Sequence, residues 1–282
     1  MRLGAHVSTS GGLDKVSERA MDIGAEVVQI FATSPRAWKF RDLPESQIQA
    51  FRKNAVNTGL QQTFIHASYL INVGGDSSLL QKSIDSLTLH MDAAGKIGAE
   101  GVIFHGGSHK GIGFDGVIDQ ASSALRTVLE NSPREVNLII ENSAGMGSHI
   151  GSSFVEIARL IDLIGDSRVK VCLDTEHTFA AGYNLADANS IDEVMGEFDK
   201  EIGLEKLTVV HANDAKVEFG SGVDRHENIG DGYIGIDGFR IIMGHSAFRE
   251  VPFILEVPGI DGNGPDQINM DRLKAIRSEL SI

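Results

Sequence analysis

Eight short apolar segments, distributed along nearly the whole chain, constrain the fold more than any other feature. They read RLGAH, EVVQIF, QQTFIH, GVIFH, NLIIEN, VKVCLD, LTVVHAND and PFILE. Helical spacing of apolar residues separates them, as in the run from Leu80 through Leu87 and Met91 to Gly98. Alternating strands and helices with continuously apolar strands predict a parallel sheet covered by helices. Eight such repeats are the number that closes a (β/α)8 TIM barrel.

A doubly wound open sheet is the alternative α/β architecture. That fold usually carries a G-x-G-x-x-G turn after its first strand, and the Gly11-Gly12 pair does not fit it. The chain has 282 residues, which one barrel of about 250 residues would nearly fill. No linker or low-complexity tract interrupts it. We therefore expect a single domain over residues 1–282, closed by a helix around Leu273.

Composition narrows the cellular setting. The single cysteine excludes an internal disulfide framework and favours the reducing cytoplasm, and its place in an apolar strand predicts a buried structural thiol at Cys172. No apolar leader precedes the first strand, and no apolar run approaches the ~18 residues of a membrane span. The formal net charge of −14 argues against a protein that binds nucleic acid through a broad basic surface. It is compatible with a nucleic-acid enzyme whose positive charge comes from bound metal.

Six of the strands end in a potential metal ligand. These residues are His66, His105, Glu141, Asp174, His211 and Glu256. The carboxyl ends of all strands in a barrel converge on one mouth, where active sites form. Carboxylates packed there would repel one another, and their desolvation would cost several kcal/mol each unless a cation offset it. A mixture of histidine and carboxylate suits Zn²⁺ or Mn²⁺ better than Ca²⁺.

Three further candidates follow the strands. His177 lies three residues after Asp174, and Asp224 and His226 belong to the stretch VDRHENIGDG. An extended D-x-H segment points both side chains the same way. It lies within an unusually long connection, residues 216–233, which suggests a function. The resulting nine ligands are too many for one ion and suit two or three.

The remaining histidines are interpreted individually. His6 ends the first strand, where a metal ligand and a hydrogen-bond partner of a ligand are equally compatible with its position. His109 follows HGGS and is expected to support a ligand or to be solvated. His90, His149 and His245 lie in helical or loop patterns and are expected to be structural.

Seven motifs, in order along nearly the whole chain, resemble the endonuclease IV family of metal-dependent apurinic/apyrimidinic endonucleases. They are GAHVSTSGGL, HASYLIN, FHGGSH, IENSAGMG, LDTEHTFAAGY, HANDAKVEFGSGVDRHENIGDGYIG and ILEVPG. The resemblance implies a TIM barrel with three Zn²⁺ ions, with Mn²⁺ as the alternative metal. It assigns the ligands as follows: His66 and His105 to one ion; Asp174, His211 and Glu256 to a second; Glu141 as a bridge between these two; His177, Asp224 and His226 to the third.

The implied reaction is hydrolysis of the phosphodiester 5′ to an abasic site, leaving a 3′-hydroxyl, with related removal of blocking groups from 3′ ends. Glu141 and Glu256 are the expected catalytic residues, which position or deprotonate the attacking water. The implied partner is damaged double-stranded DNA, and we expect a monomer that does not contact membranes.

The same resemblance suggests residues that contact DNA. Tyr69 and Leu70 would wedge into the base stack, and Arg36 would enter it with Trp38 beside it. Ordinary loop packing is the alternative for Tyr69 and Leu70. Phosphate contact and simple solvation are equally compatible with four basic residues: Lys39, Arg41, Lys216 and Arg225.

Two other functions remain open from the sequence. Glu141, Asp174, His211 and Glu256 alone resemble the metal set of xylose-isomerase-like sugar isomerases and epimerases, but that interpretation gives the other five ligands no role. A metal-dependent, non-catalytic binder of damaged DNA would keep the wedge residues without requiring the full ligand set.

Glu176 departs from the family pattern, which most often has a small residue such as cysteine there. We expect a solvated bystander. A partner of a metal-binding histidine and an extra charge that tunes metal affinity are the alternatives.

Overall fold

The eight predicted segments form the strands of a closed parallel barrel in the computed structural model, which describes residues 1–282. The barrel order is β1-β10-β7-β6-β5-β4-β3-β2. Its strands are β1 Leu3–His6, β2 Val27–Phe31, β3 Gln62–His66, β4 Gly101–His105, β5 Asn137–Glu141, β6 Val169–Asp174, β7 Leu207–Ala212 and β10 Phe253–Leu255. The predicted TIM barrel is confirmed, and the open doubly wound sheet is excluded by the closure of β1 on both β2 and β10.

Helices cover the outside of the barrel between successive strands. They are α1 Val16–Asp22, α2 Glu45–Thr58, α3 Ser77–Ile97, α4 Ile118–Glu130, α5 Phe154–Ile164, α6 Thr175–Ala180, α7 Ile191–Glu201, α8 Gly235–Gly244 and α9 Gln267–Leu280. Local sequence sets their ends. The Asp76 side chain accepts a hydrogen bond from the Leu79 amide at the start of α3, and Gly98 ends that helix at φ 75°. None of these helices combines the length and apolar character that a membrane crossing requires.

The barrel interior is filled by one inward-facing apolar residue from each of seven strands. These residues are Val27, Phe64, Ile103, Ile139, Cys172, Val209 and Ile254. Cys172 is therefore the buried thiol that the strand pattern predicts, and burial raises its pKa to about 12. A larger apolar core lies between the strands and the surrounding helices. The barrel is thus closed below the mouth, which confines polar chemistry to the strand ends.

Strand register brings the polar strand ends to one level. Parallel pairing places His105 beside Glu141 and Asp174 beside His211. Residues 70 or more positions apart in sequence consequently become direct neighbours at the mouth, as His211 and Glu141 do. The convergence of the strand-end candidates follows from barrel closure alone.

Two connections after the strands differ from the sequence-based description. Residues after Asp174 form the short helix α6, so His177 lies on a helix and not in a loop. In the long connection after β7, strand β8 (Asp214–Ala215) pairs antiparallel with strand β9 (His226–Glu227). The Asp214 carboxylate then accepts hydrogen bonds from backbone amides in 230–235. A buried carboxylate with several amide donors is a stable anchor, so this connection is ordered at its two ends.

Candidate metal centre

The first ligand cluster joins three neighbouring strands. His66 Nε2 lies 3.2 Å from Glu141 Oε2, and His105 Nε2 lies 3.3 Å from the same oxygen. The ligand atoms of these three residues all lie within 4.8 Å of one another. Two imidazoles facing one carboxylate oxygen form a suitable shell for a single divalent ion.

The second cluster shares Glu141 with the first. The other carboxylate oxygen, Oε1, lies 2.9 Å from His211 Nδ1, which is in turn 3.2 Å from Glu256 Oε2. Asp174 Oδ2 completes the group at 3.9 Å from the same His211 nitrogen. One oxygen of Glu141 therefore faces each cluster, which is the geometry of a carboxylate that bridges two ions.

The third cluster lies on α6 and β9, outside the ring of strand ends. His177 Nε2 is 3.3 Å from Asp224 Oδ2, and His226 Nε2 is 3.6 Å from Asp224 Oδ1. The Asp174 carboxylate reaches it as well, with Oδ2 3.6 Å from His226 Nε2. Both Nε2 atoms are buried without a hydrogen-bond partner. Buried polar atoms normally have partners, so this pair fits a site where a metal ion is bound.

Glu176 belongs to this third cluster, and its expected role as a solvated bystander is wrong. Its side chain is 0% exposed, and its carboxylate groups with Asp174, His177 and His226 within ligand distance. Burial, reinforced by the charge of Asp174, raises the pKa of Glu176 to about 7. The chain turns into α6 directly after Asp174, and this turn brings Glu176 and His177 into the same cluster.

Each of these histidines has one ring nitrogen directed toward a cluster and another, the outer nitrogen, directed away from it. The outer nitrogens lie near oxygen acceptors: His66 Nδ1 lies 2.8 Å from the Ala67 carbonyl, and His177 Nδ1 lies 3.0 Å from the Asn142 carbonyl. His211 Nε2 lies 2.7 Å from Gln29 Oε1. When the outer nitrogen donates, the inner nitrogen carries a lone pair, which is the form that binds metal.

Three amide side chains that sequence reasoning missed organise these ligands. Asn213 Nδ2 donates to Asp174 Oδ2 at 2.7 Å, and Asn213 Oδ1 accepts from the Glu256 amide. Asn142 Oδ1 accepts from the Asp174 amide at 2.7 Å. Gln29 donates to the Glu256 carboxylate while accepting from His211. A sequence signal existed for Gln29, a polar residue inside the apolar run VVQIF, and for the two asparagines that directly follow or nearly follow strand-end ligands.

Electrostatics concentrates negative charge at the mouth. Burial alone would raise the pKa of Glu141, but the neighbouring His105 and His211 hold it well below its usual range. Burial likewise opposes the charge on Glu256, yet His211 lowers the pKa of that carboxyl. Burial opposes a charge on His177, yet Asp174 and Asp224 raise its pKa above the usual value. The charges that would retain a proton on His177 are the same ones that would attract a metal ion.

The histidines outside the ligand set fall into two groups. His6 Nδ1 lies 3.0 Å from Gln29 Nε2 and 3.6 Å from Glu256 Oε1, so it supports a ligand and is not itself in a cluster. His149 was expected to be structural, but it lines the cavity beside the third cluster. The other three have local roles: His90 bonds the Ser86 carbonyl within α3, His109 accepts from the Gly113 amide, and His245 pairs with Asp192.

Two cavities open beside the clusters. One of about 440 Å³ is lined by ligands of all three clusters together with Tyr69 and His149. A larger one of about 1320 Å³ begins at His6 and is bordered by Lys39, Arg41 and the loops after β1 and β2. The smaller cavity gives access to the clusters themselves. The larger one adjoins them through His6, and both basic and acidic side chains border it.

The residues predicted to contact DNA are held together by backbone hydrogen bonds. The Tyr69 amide and the Ser68 hydroxyl both donate to the Pro35 carbonyl at 2.9 Å. This contact places Arg36, which is exposed, next to the turn that carries Tyr69 and Leu70. Tyr69 is 52% exposed although its ring contacts Phe31, and Leu70 is half-buried.

Comparison with known proteins agrees with this geometry. A family described as the xylose isomerase-like TIM barrel matches residues 17–279. A "probable endonuclease 4" from Haloarcula marismortui is 38% identical over 280 residues, which cover 99% of this chain and 100% of that protein. A protein of the same name from Halothermothrix orenii is 40% identical over 268 residues, covering 94% and 96%. This chain belongs to the endonuclease IV family.

A solved structure of an endonuclease IV family member has the same fold along its whole length. Endonuclease IV from Thermus thermophilus superimposes with a TM-score of 0.88 at 34% identity, covering 99% of this chain and 100% of that one. A D-tagatose 3-epimerase-like protein also superimposes, with a TM-score of 0.74 at 16% identity, over 100% and 98%. That lower similarity shows a shared barrel only and carries no argument about the reaction.

Proposed function

We propose that this chain is a zinc-dependent apurinic/apyrimidinic endonuclease that hydrolyses the phosphodiester 5′ to an abasic site and leaves a 3′-hydroxyl. The observation that carries this proposal is the convergence of three ligand clusters at one accessible mouth, linked through Glu141 and Asp174. Sugar isomerase chemistry would use the second cluster alone and would give the first and third no role. Endonuclease chemistry uses all three.

The ligand assignment follows the clusters. His66 and His105 would hold one ion, Asp174, His211 and Glu256 a second, and Glu141 would join them. His177, Asp224 and His226 would hold the third. Bound Zn²⁺ would lower the pKa of a water molecule toward ~7 and offset charge that develops on the phosphate. Mn²⁺ prefers similar donors and is the alternative metal.

The two proposed catalytic glutamates, Glu141 and Glu256, would have different roles because their exposure to solvent differs. Glu256 lines the cavity, so its carboxylate can accept a proton from the attacking water. Glu141 is fully buried and faces four histidines, so it holds the geometry and the charge of the centre. Gln29 and Asn213 fix the orientation of the Glu256 segment, which would keep the Glu256 carboxylate directed at the bound metal and the attacking water.

Damaged double-stranded DNA is the proposed partner. Tyr69, Leu70 and Arg36 would enter the base stack where the abasic sugar leaves a gap. Lys39 and Arg41, at the border of the larger cavity, would contact phosphates. Lys216 and Arg225 are less available, because Lys216 pairs with Glu227 and the Arg225 guanidinium donates to the Asp224 carbonyl. We propose that the protein acts as a monomer.

A duplex with one tetrahydrofuran abasic analogue tests the reaction. The zinc-loaded protein should cut the damaged strand once, 5′ to the lesion, and a polymerase should extend the new end directly because it carries a 3′-hydroxyl. A nicked duplex with a 3′-phosphate should also become extendable, which tests the end-cleaning activity. An undamaged duplex is the control.

The alternatives give other results in the same assay. Binding without scission would support a damage-binding module. No nicking combined with turnover of a ketose or aldose would support an epimerase, and either outcome would overturn the proposed function.

A further inference from the structure

Glu176 is a buried carboxylate at the mouth that the nine-ligand assignment leaves unused, and unlike Asp214 it is not saturated with amide donors. Its Oε2 atom is buried without any hydrogen-bond partner. That atom lies 3.9 Å from His177 Nε2, which also lacks a partner, and His226 Nε2 is a third unpartnered atom in the same group. Three orphaned polar atoms of complementary ligand type therefore face a common point.

The other oxygen of Glu176, Oε1, is held by a backbone hydrogen bond, which fixes the side chain within the third cluster. Oε1 accepts a hydrogen bond of 3.1 Å from the Arg225 amide. Arg225 lies between the two cluster residues Asp224 and His226, so the carboxylate is tied to the segment that carries the other ligands. At the opposite end, Asp174 caps α6 by accepting from the His177 amide, which fixes the helix turn that presents Glu176 and His177.

The burial of the Glu176 carboxylate argues against a purely structural role for this residue. A buried carboxylate oxygen without a donor loses its hydration and gains no hydrogen bond in return, which is unfavourable. A divalent cation bound beside Oε2, His177 Nε2 and His226 Nε2 would satisfy all three atoms at once. Asp224, 44% exposed, borders the same point from the solvent side.

We propose that Glu176 is a further ligand of the third metal site, which then has two histidines and two carboxylates. This inference rests on the proposed metal centre and adds a residue to it. A second carboxylate balances the charge of a divalent ion and increases the oxygen share of the shell. The third site should consequently bind its ion more tightly and accept Mn²⁺ more readily relative to Zn²⁺ than a site of two histidines and one aspartate would.

Metal binding measured without DNA tests the proposal. Wild-type protein, Glu176→Gln and Glu156→Gln are dialysed against buffers of defined free Zn²⁺ or Mn²⁺, and bound metal per chain is measured. Glu156 is the matched control, because it is also a first-turn helix glutamate that accepts backbone amides, from Gly151 and Ser152, but belongs to no cluster. Glu176→Gln should weaken the binding of one of the three ions at least tenfold, more for Mn²⁺ than for Zn²⁺, while Glu156→Gln should leave all three unchanged.

A second variant with a spectroscopic readout keeps the proposal testable if Glu176→Gln fails to fold. Glu176→Cys, loaded with Co²⁺, should show a near-ultraviolet thiolate-to-cobalt band that wild-type protein lacks, because a ligand position converts a nearby thiol into a bound thiolate. Unchanged metal affinity in Glu176→Gln together with no such band in Glu176→Cys would overturn the proposal. Scission of abasic DNA is measured separately, so a protein that binds metal through Glu176 yet cuts nothing would refute the proposed function and leave this inference standing.

Discussion

The mouth of the barrel contains two kinds of candidate ligand cluster, and they are built differently. His66, His105 and Glu141 lie at the ends of adjacent strands. The register pairs His105 with Glu141 and His66 with Ile103, and the ligand atoms of the three residues lie within 4.8 Å of one another. The third cluster depends on a six-residue helix and on β9, which pairs only with the two-residue β8. The first kind of site is a product of barrel closure, whereas the second requires a particular connection to adopt a particular shape.

The difference predicts unequal rigidity. Four strand-end candidate ligands are buried: His66, Glu141, Asp174 and His211. His105 and Glu256 are half-buried. Glu141 lies close to histidines from four separate segments. Asp224, in contrast, is 44% exposed and belongs to a connection anchored chiefly by Asp214. Changes to the barrel should therefore disable the whole centre, and changes to the connection should affect the third ion selectively.

Removal of metal should have the largest effect, because it acts on both regions. Chelation should abolish strand scission and lower the melting temperature, since buried carboxylates lose the charge that offsets them. At a hundredfold excess over Kd, each ion should contribute roughly 5–10 °C for a chain of this size. Calorimetry with and without chelator, followed by zinc addition, measures this. A melting temperature that does not respond to chelation would contradict a buried metal centre.

Glu141→Gln should have the second-largest effect, because Glu141 belongs to the strand-end clusters. The amide keeps the shape of the side chain but removes the charge shared by the first two clusters, so single-turnover cleavage should fall by roughly a thousandfold. Circular dichroism should remain that of a folded barrel. Glu156→Gln, remote from the clusters, should cleave normally. A near-normal rate in Glu141→Gln would remove this residue from the catalytic role.

The same contrast explains what the sequence could predict. Eight apolar segments determine the barrel, and a barrel determines that His66, Glu141 and Asp174 meet, so this part follows from periodicity and strand ends. The environment of Glu176 could not be predicted, because it depends on α6 starting immediately after Asp174. Gln29 and Asn213 were missed for a related reason: their roles are hydrogen bonds to ligands, which spacing along the chain does not reveal.

Asp214→Asn should affect the connection and spare the strand ends. Its carboxylate accepts from the amides of Gly230, Gly232 and Ile234, and an asparagine amide group cannot accept all of these bonds. We expect a stability loss on the order of 3 kcal/mol and faster hydrogen exchange across residues 226–235. The affinity for the third ion should fall about tenfold. Asp231→Asn, which alters an exposed aspartate of the same connection, is the control.

Equal weakening of all three ions in Asp214→Asn would show that the two regions are not separable. Uniform exchange across the barrel strands would lead to the same conclusion.

Tyr69→Ala should have the smallest effect and should leave metal content unchanged, because the residue borders the centre without belonging to a cluster. Loss of an aromatic wedge should raise KM for abasic DNA by roughly tenfold. Tyr69→Phe retains the ring and should stay close to wild type. If both variants behave alike, the ring does not contact the base stack and ordinary loop packing explains its position.

Three ions at the mouth would distinguish this centre from a site confined to the second cluster. Anomalous diffraction at the zinc edge from a crystal of the metal-loaded protein tests this directly. We predict three peaks: one at His66 and His105, one at His211 and Glu256, and one at His177 and His226. A single peak confined to Glu141, Asp174, His211 and Glu256 would contradict the three-ion centre.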